Sequence, residues 1–294
     1  MTEKESGEAE SVLQARKIEI EAILEQHPAL RAVQQMEEMD RAREWYVRNA
    51  DHLLSAMDAL NHDDLGFRLF MMGNEVAWND EDGTREFFVE MGRHWHNYVA
   101  SAVTVADHMR ELFKEQSEDL HAEYVQKIDE LIKPHAVVAF VHRSRNVALH
   151  RGVFTMGAAF RFRKGKQRFD VYCDTGTMLN RYRSWWTPGA IQYMEQTSEV
   201  SLSKVVDEYA EVVDPLYQWY SDRFYAYHYP TLMGFETLAK EYRQICETLE
   251  PGELPPHDPE ATFSHPDRPK PPPPRRPRNK SKSKKKPKPK QRKR

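Results

Sequence analysis

The sequence is short of cysteine, glycine and long apolar runs, and each shortage removes a class of protein. Its two cysteines, Cys173 and Cys246, are too few and too far apart for a disulfide framework or a zinc signature. A reducing cytoplasm is therefore the expected compartment. The longest clean apolar run, Ala136 to Val141, is far shorter than the roughly 20 residues of a membrane-spanning helix, so no membrane partner is expected. The opening MTEKESGEAES is acidic and lacks the apolar centre of a secretory signal. With 12 glycines in 294 residues, no Gly-rich phosphate loop, nucleophile elbow or deaminase signature occurs. Glu90, His94 and His96 invite a metal reading, but two histidines two apart on a helix point away from each other. No cofactor and no metal are expected.

Acidic charge is missing from one region, and that absence is informative. The fifteen basic residues between Arg268 and Arg294 have no Asp or Glu among them. Residues 1–267 are left with 28 basic and 46 acidic side chains, a net charge of −18 beside a tail of +15. The overall net charge of −3 conceals both. In RPKPPPPRRPRNKSKSKKKPKPKQRKR no large apolar side chain is available to offset the entropy of ordering. Proline removes amide donors, and like charges repel. Residues 251–294 are therefore expected to be a disordered Pro/Lys/Arg-rich tail with polyproline II character. Arg275, Arg276, Lys284, Lys285 and Lys286 are its candidate phosphate contacts, acting by counterion release without reading bases. No aromatic residue interleaves the lysines, so the tail offers no base stacking. A solubilising tail and an intramolecular partner for the acidic body are the competing readings.

Upstream, the pattern is mostly helical. Residues 1–62 predict an N-terminal helical region, with Leu13, Ile20 and Leu24 leading to the breaker His27-Pro28, then Met36, Met39, Tyr46, Leu53 and Met57. The clearest helix starts near Thr84 and repeats Met91, Trp95, Tyr98, Ala102, Val105, Met109 and Leu112 every three or four residues, a stripe that must face a core. A second, polar stripe on it holds Glu90, Asn97, Ser101, Thr104 and His108, mostly short side chains able to hydrogen-bond across a close helix contact, with a solvated face as the competing reading. Another helix is expected from Ser117 to Ile132, and Pro134 is placed to open the next, which Gly152 stops. The period then changes to two: Phe154, Met156, Ala158, Phe160 and Phe162, then Phe169, Val171 and Cys173. This predicts a β-hairpin near 153–174 with basic residues at its tip. Helices return from Leu202 to Tyr229 and from Leu232 to Leu249.

Residues 140–154, FVHRSRNVALHRGVF, put three arginines, two histidines and an asparagine at the end of one of these helices. His142, Asn146 and His150 are four apart and share one drifting stripe. Such a group suits phosphodiester cleavage without metal. A histidine transfers protons to and from ribose or leaving-group oxygens. An arginine holds phosphate and stabilises the charge that develops on it. The alternative is that Arg143, Arg145, His150 and Arg151 complement the negative end of the helix dipole and pair with acidic neighbours.

RNVALHRG resembles the R-N-x-x-x-H motif of the HEPN superfamily (higher eukaryotes and prokaryotes nucleotide-binding), and EMGRHWHNYVASAVTVADH resembles the helix that precedes it. The resemblance spans roughly residues 83–250 and is tight at the motif. It implies a mainly α fold, a HEPN-like helical bundle over 63–250 carrying an inserted β-hairpin. It also implies a metal-independent endoribonuclease or RNA-binding protein, with Arg145 contacting phosphate, Asn146 the polar motif residue and His150 the acid or base. Arg143 and Arg151 would extend the nucleic-acid contact. Family members usually join two motifs across a homodimer, so a homodimer and an RNA partner are implied. The alternatives are a non-catalytic helical interaction module and a toxin-like defence ribonuclease held by an antitoxin-like protein.

If the tail is an electrostatic arm, truncation after Gly252 weakens RNA binding and flattens its dependence on salt. A salt titration of both forms in a filter-binding assay checks this, and identical slopes would retire the tail's role.

Overall fold

The computed structural model of the chain describes residues 3–61, 84–151, 154, 156–163 and 166–249. The tail, with Arg275, Arg276 and Lys284 to Lys286, lies outside these residues, as do the segment 62–83 and Lys164-Gly165 at the hairpin tip. The described residues are mainly α-helical, with one small antiparallel sheet. The helices are α1 (Glu3–Glu25), α2 (Pro28–Ala59), α3 (Thr84–Lys114), α4 (Glu118–Leu131) and α5 (Ala136–Arg151). Strands β1 (Met156–Arg163) and β2 (Lys166–Asp174) follow, then α6 (Thr175–Tyr182), a 3₁₀ turn at Arg183–Trp185, and α7 (Pro188–Met194). Strand β3 (Glu199–Ser201) leads into the 48-residue α8 (Leu202–Leu249).

Two compact units divide these elements. One runs from Gln26 to Glu236. The other holds α1 and the last turns of α8 from Thr237 on, where Arg16 of α1 grips Glu241 with two hydrogen bonds of 2.7 and 3.1 Å.

Within the Gln26–Glu236 unit the expected stripe of α3 is buried throughout, from Met91 to Leu112. It packs in one core with Met39, Ala42, Tyr46, Leu53 and Met57 of α2 and with Val137, Phe140, Val141 and Val147 of α5. The polar stripe of α3 does something other than bridge helices. Ser101 Oγ donates to the carbonyls of Asn97 and Tyr98, and Thr104 Oγ1 to that of Ala100, all on the same helix. Short hydroxyls reach the preceding turn more easily than a neighbouring helix.

Helix α5 starts two residues later than the proline signal suggests. The amides of Ile132 and Lys133 both donate to the Ile128 carbonyl, closing α4 with a turn that contains Pro134. Helix α8 departs further from expectation, because it continues through Pro230 as well as through Pro215, which the expected helix over 202–229 already contained. Proline removes one amide donor and crowds the carbonyl of the preceding turn, yet neighbouring contacts hold both sides. Phe224 packs on His228 at 4.3 Å and Tyr225 on Tyr229 at 5.8 Å. His228 Nε2 also lies 3.1 Å from Gln116 Oε1, and Leu232 beyond the proline is buried.

The hairpin has the expected alternation and a third strand that is too short to show in the sequence. Met156 faces Cys173 and Gly157 faces Tyr172, while Cys173 pairs with Val200 of β3. An added Cβ on Gly157 would lie 2.7 Å from the Tyr172 ring, so glycine makes room there for the aromatic across the ladder. Asn61 Oδ1 accepts from the Phe169 amide at 2.8 Å, tying the residues after α2 to β2.

What positions the end of α5 is an aromatic stack. Phe140, fully buried, lies 5.7 Å from Trp186 at an interplanar angle of 12°, and Phe154 packs on the same indole at 5.9 Å. Tyr193 of α7 meets Phe140 at 5.2 Å, and Ala139 lies 3.1 Å from where a Cβ on Gly189 would stand. Phe140→Ala removes the centre of this packing and is expected to cost about 3–5 kcal/mol. Chemical denaturation of wild type and variant measures the loss, and a cost below about 1 kcal/mol would show that the stack is not central.

Candidate functional site

The motif residues lie on a helix that stays regular through Arg151, and this regularity decides which of them share a face. At 3.6 residues per turn, Arg143 lies within about 20° of His150 and Asn146 within about 40°, whereas Arg145 lies about 140° away. Arg145 and Asn146 are half-buried, and His150 and Arg151 are exposed. Among the described residues no hydrogen bond or ring contact joins Arg145 or Asn146 to His150.

What gathers instead is a group around Trp185 in the 3₁₀ turn. Arg143 Nε donates to the Trp185 carbonyl at 2.6 Å. The Arg151 guanidinium lies over the Trp185 indole, 4.1 Å from its centroid. The His150 ring is 6.3 Å from the same indole, tilted by 37°. Three of the expected residues, Arg143, His150 and Arg151, are thus brought together, by an aromatic that sequence reasoning misses. The signal that points to it is RYRSWW, where basic and aromatic residues interleave from Arg181 to Trp186.

The two adjacent tryptophans divide their work. Trp186 is buried and its Nε1 donates to the Met178 carbonyl at 3.4 Å, while Trp185 stays half-buried with the cations. Trp186 anchors the turn and Trp185 is presented by it.

The arginines of α5 lack the carboxylate partners that most described arginines have, a lack shared with Arg85, Arg181 and Arg243. Arg16, Arg31, Arg43, Arg48, Arg93, Arg110, Arg183 and Arg223 each pair with a carboxylate. Among the described residues Arg143, Arg145 and Arg151 do not. Surface pairs contribute little stability, so the contrast matters for which cations remain open to an anionic ligand.

The other histidine of the motif stretch is part-buried at the edge of the core. His142 Nε2 lies 3.1 Å from the Tyr209 hydroxyl, in a ring cluster with Tyr46 and Tyr98. Burial holds its pKa down at about 4, outweighing the Asp107 carboxylate that favours the charged ring. The stripe of His142, Asn146 and His150 therefore starts at the edge of the core and ends in solvent.

The weaker candidates resolve into local contacts. Glu90 pairs with Arg93 at 2.6 Å, and His94 faces the His52 ring at 6.4 Å. Among the described residues no three His, Cys, Asp or Glu side chains are grouped to hold a metal ion. No described helix is long and apolar enough to cross a membrane.

No family model, curated protein or solved structure matches the chain.

The neutral state of His142 carries a pH dependence. The unfolded chain takes up a proton near pH 6.5, which the folded chain resists down to about pH 4. Stability contributed by neutral His142 is thus present above pH 6.5 and is lost as the pH falls from 6.5 toward 4, by up to about 3 kcal/mol. Denaturation curves across that window should slope less steeply for His142→Asn than for wild type. Equal slopes would show that another group controls the acid limb.

Proposed function

We propose that this protein is a HEPN-like RNA-handling protein that binds RNA at the carboxyl end of α5 and cleaves it without metal, with His150 transferring the proton. The observation that supports this reading most directly is the set of arginines on α5 without carboxylate partners among the described residues, in a body of net charge −18 over residues 1–267. An acidic surface repels a polyanion, so a local group of open cations is where phosphates would be held. Arg143, Arg151 and His150 each meet Trp185. Cations and a proton-transfer group thus share one aromatic neighbour, and cleavage at a 2′-hydroxyl needs both on one substrate. The basic tail would raise the local concentration of RNA.

Arg145 enters this scheme through a second copy of the chain. Its angular distance from His150 keeps the two from meeting on one helix. A homodimer, which the HEPN resemblance implies, would let the Arg145 of one copy face the His150 of the other. The same angular distance favours a second reading, a non-catalytic module in which α5 binds RNA or an acidic partner such as an antitoxin-like protein.

Incubation with total RNA in EDTA separates the readings. Wild type is expected to cleave, and His150→Ala, shown to be folded by circular dichroism, to lose at least about 10²-fold in rate. Arg145→Ala is expected to lose cleavage, and mixing it with His150→Ala to restore a fraction through mixed dimers. Binding without cleavage by wild type, or equal cleavage by all forms, would move the assignment to the non-catalytic module.

A further inference from the structure

We infer that Trp185 is a stacking platform for one unpaired nucleobase, which makes single-stranded or looped RNA the ligand of this surface and excludes a continuous duplex. The inference rests on the RNA reading above and adds to it the ligand class and a specificity-determining residue.

The geometry that carries it is the division between the two tryptophans. Trp186 is clamped between Phe140 and Phe154 and hydrogen-bonded to Met178. The backbone of the next residue is clamped too, since Arg143 Nε holds the Trp185 carbonyl at 2.6 Å. Trp185 is thus an indole on a fixed mount, packed against the edge of the core and left half-buried. An aromatic needed only for the core would point inward, as its neighbour does.

What covers the indole can be exchanged. The Arg151 guanidinium lies over the ring at 4.1 Å, and among the described residues no carboxylate holds it there. A cation over a part-exposed ring is held modestly, whereas a base stacked on an indole is bound more strongly and with little regard to its identity. An incoming base takes the place of the guanidinium, and Arg151 turns to the phosphate beside it. His150, 6.3 Å from the same indole, then stands next to the bound nucleotide. A-form duplex keeps its bases stacked inside and cannot offer one to the platform. The tail, which has no aromatic residue from Arg268 to Arg294, supplies charge but no stacking. The two parts of the chain thus contribute different components of binding.

The test uses the full-length protein and two fluorescent probes, a short unstructured RNA and a duplex of the same sequence. Anisotropy titrations are run at raised salt, where the contribution of the tail is screened and stacking is not. Trp185→Ala should weaken single-strand binding about ten-fold and leave duplex binding unchanged. Trp185→Phe, which keeps an aromatic plane and guards against loss of fold, should retain most of the affinity. Arg151→Ala should lower the salt slope by about one. Single-strand affinity unchanged in Trp185→Ala, or an equal loss in the Ala and Phe variants, would overturn the platform and leave the RNA reading standing. A wild type that binds neither probe would overturn both.

Discussion

The stack of Phe140 on Trp186 is the contact on which the end of α5 depends. It joins α5, whose Phe140 also meets Trp95 of α3 at 6.2 Å, to a short 3₁₀ turn that could not hold its own shape. Three residues of 3₁₀ helix have poor hydrogen-bond geometry and no internal cooperativity, so the turn takes its conformation from what it packs against. Phe140 and Phe154 fix Trp186, Arg143 fixes the backbone of Trp185, and Thr187 then caps α7 through the Ala190 amide at 3.4 Å. Every feature of the surface at His150 follows from that chain of contacts. Loss of the buried stack would release the turn even if each surface residue were kept.

Much of this architecture is legible in the sequence, where a single period dominates. The stripe from Met91 to Leu112 is read without ambiguity because large side chains recur every three or four residues over about six turns of one helix. The hairpin is legible because Met156, Val171 and Cys173 alternate with residues of the other face. What is not legible depends on partners far along the chain. Strand β3 has three residues, too few to show a period, and exists because Val200 finds Cys173. Continuity of α8 through Pro230 reflects rings packed before the proline and buried Leu232 beyond it, which local propensity cannot anticipate. The meeting of Arg143 and Arg151 with Trp185 spans 42 and 34 positions of the sequence, beyond any window in which spacing carries information.

The motif shows the same division at smaller scale. Residue types and helical placement are visible in RNVALHRG, and both describe the observed helix. Faces are a different matter, because adjacency in sequence does not give adjacency on a helix. Arg145 and Asn146 are neighbours in the chain but stand about 100° apart in projection, and the residue that joins His150 at Trp185 is Arg143, seven positions away. His142 and His150 look equivalent in the sequence and are not equivalent in chemistry. One is part-buried and held neutral beside Tyr209, and the other is exposed near the Trp185 indole.

The helix-dipole explanation for these cations accounts for part of the arrangement only. His150 and Arg151 are in the last turn of α5, where positive charge is favourable. Arg143 is two turns earlier, beyond the reach of that effect. Its Nε is spent on the Trp185 carbonyl and the Arg151 guanidinium on the indole, so both arginines are used to build a half-buried aromatic surface rather than to neutralise carboxylates. In a body so rich in acid, with partners taken up by most other arginines, leaving these open costs electrostatic pairing that the fold readily makes elsewhere. Pairing with a ligand that brings its own negative charge and a flat apolar face would compensate for both the open cations and the half-covered indole. A nucleotide has both.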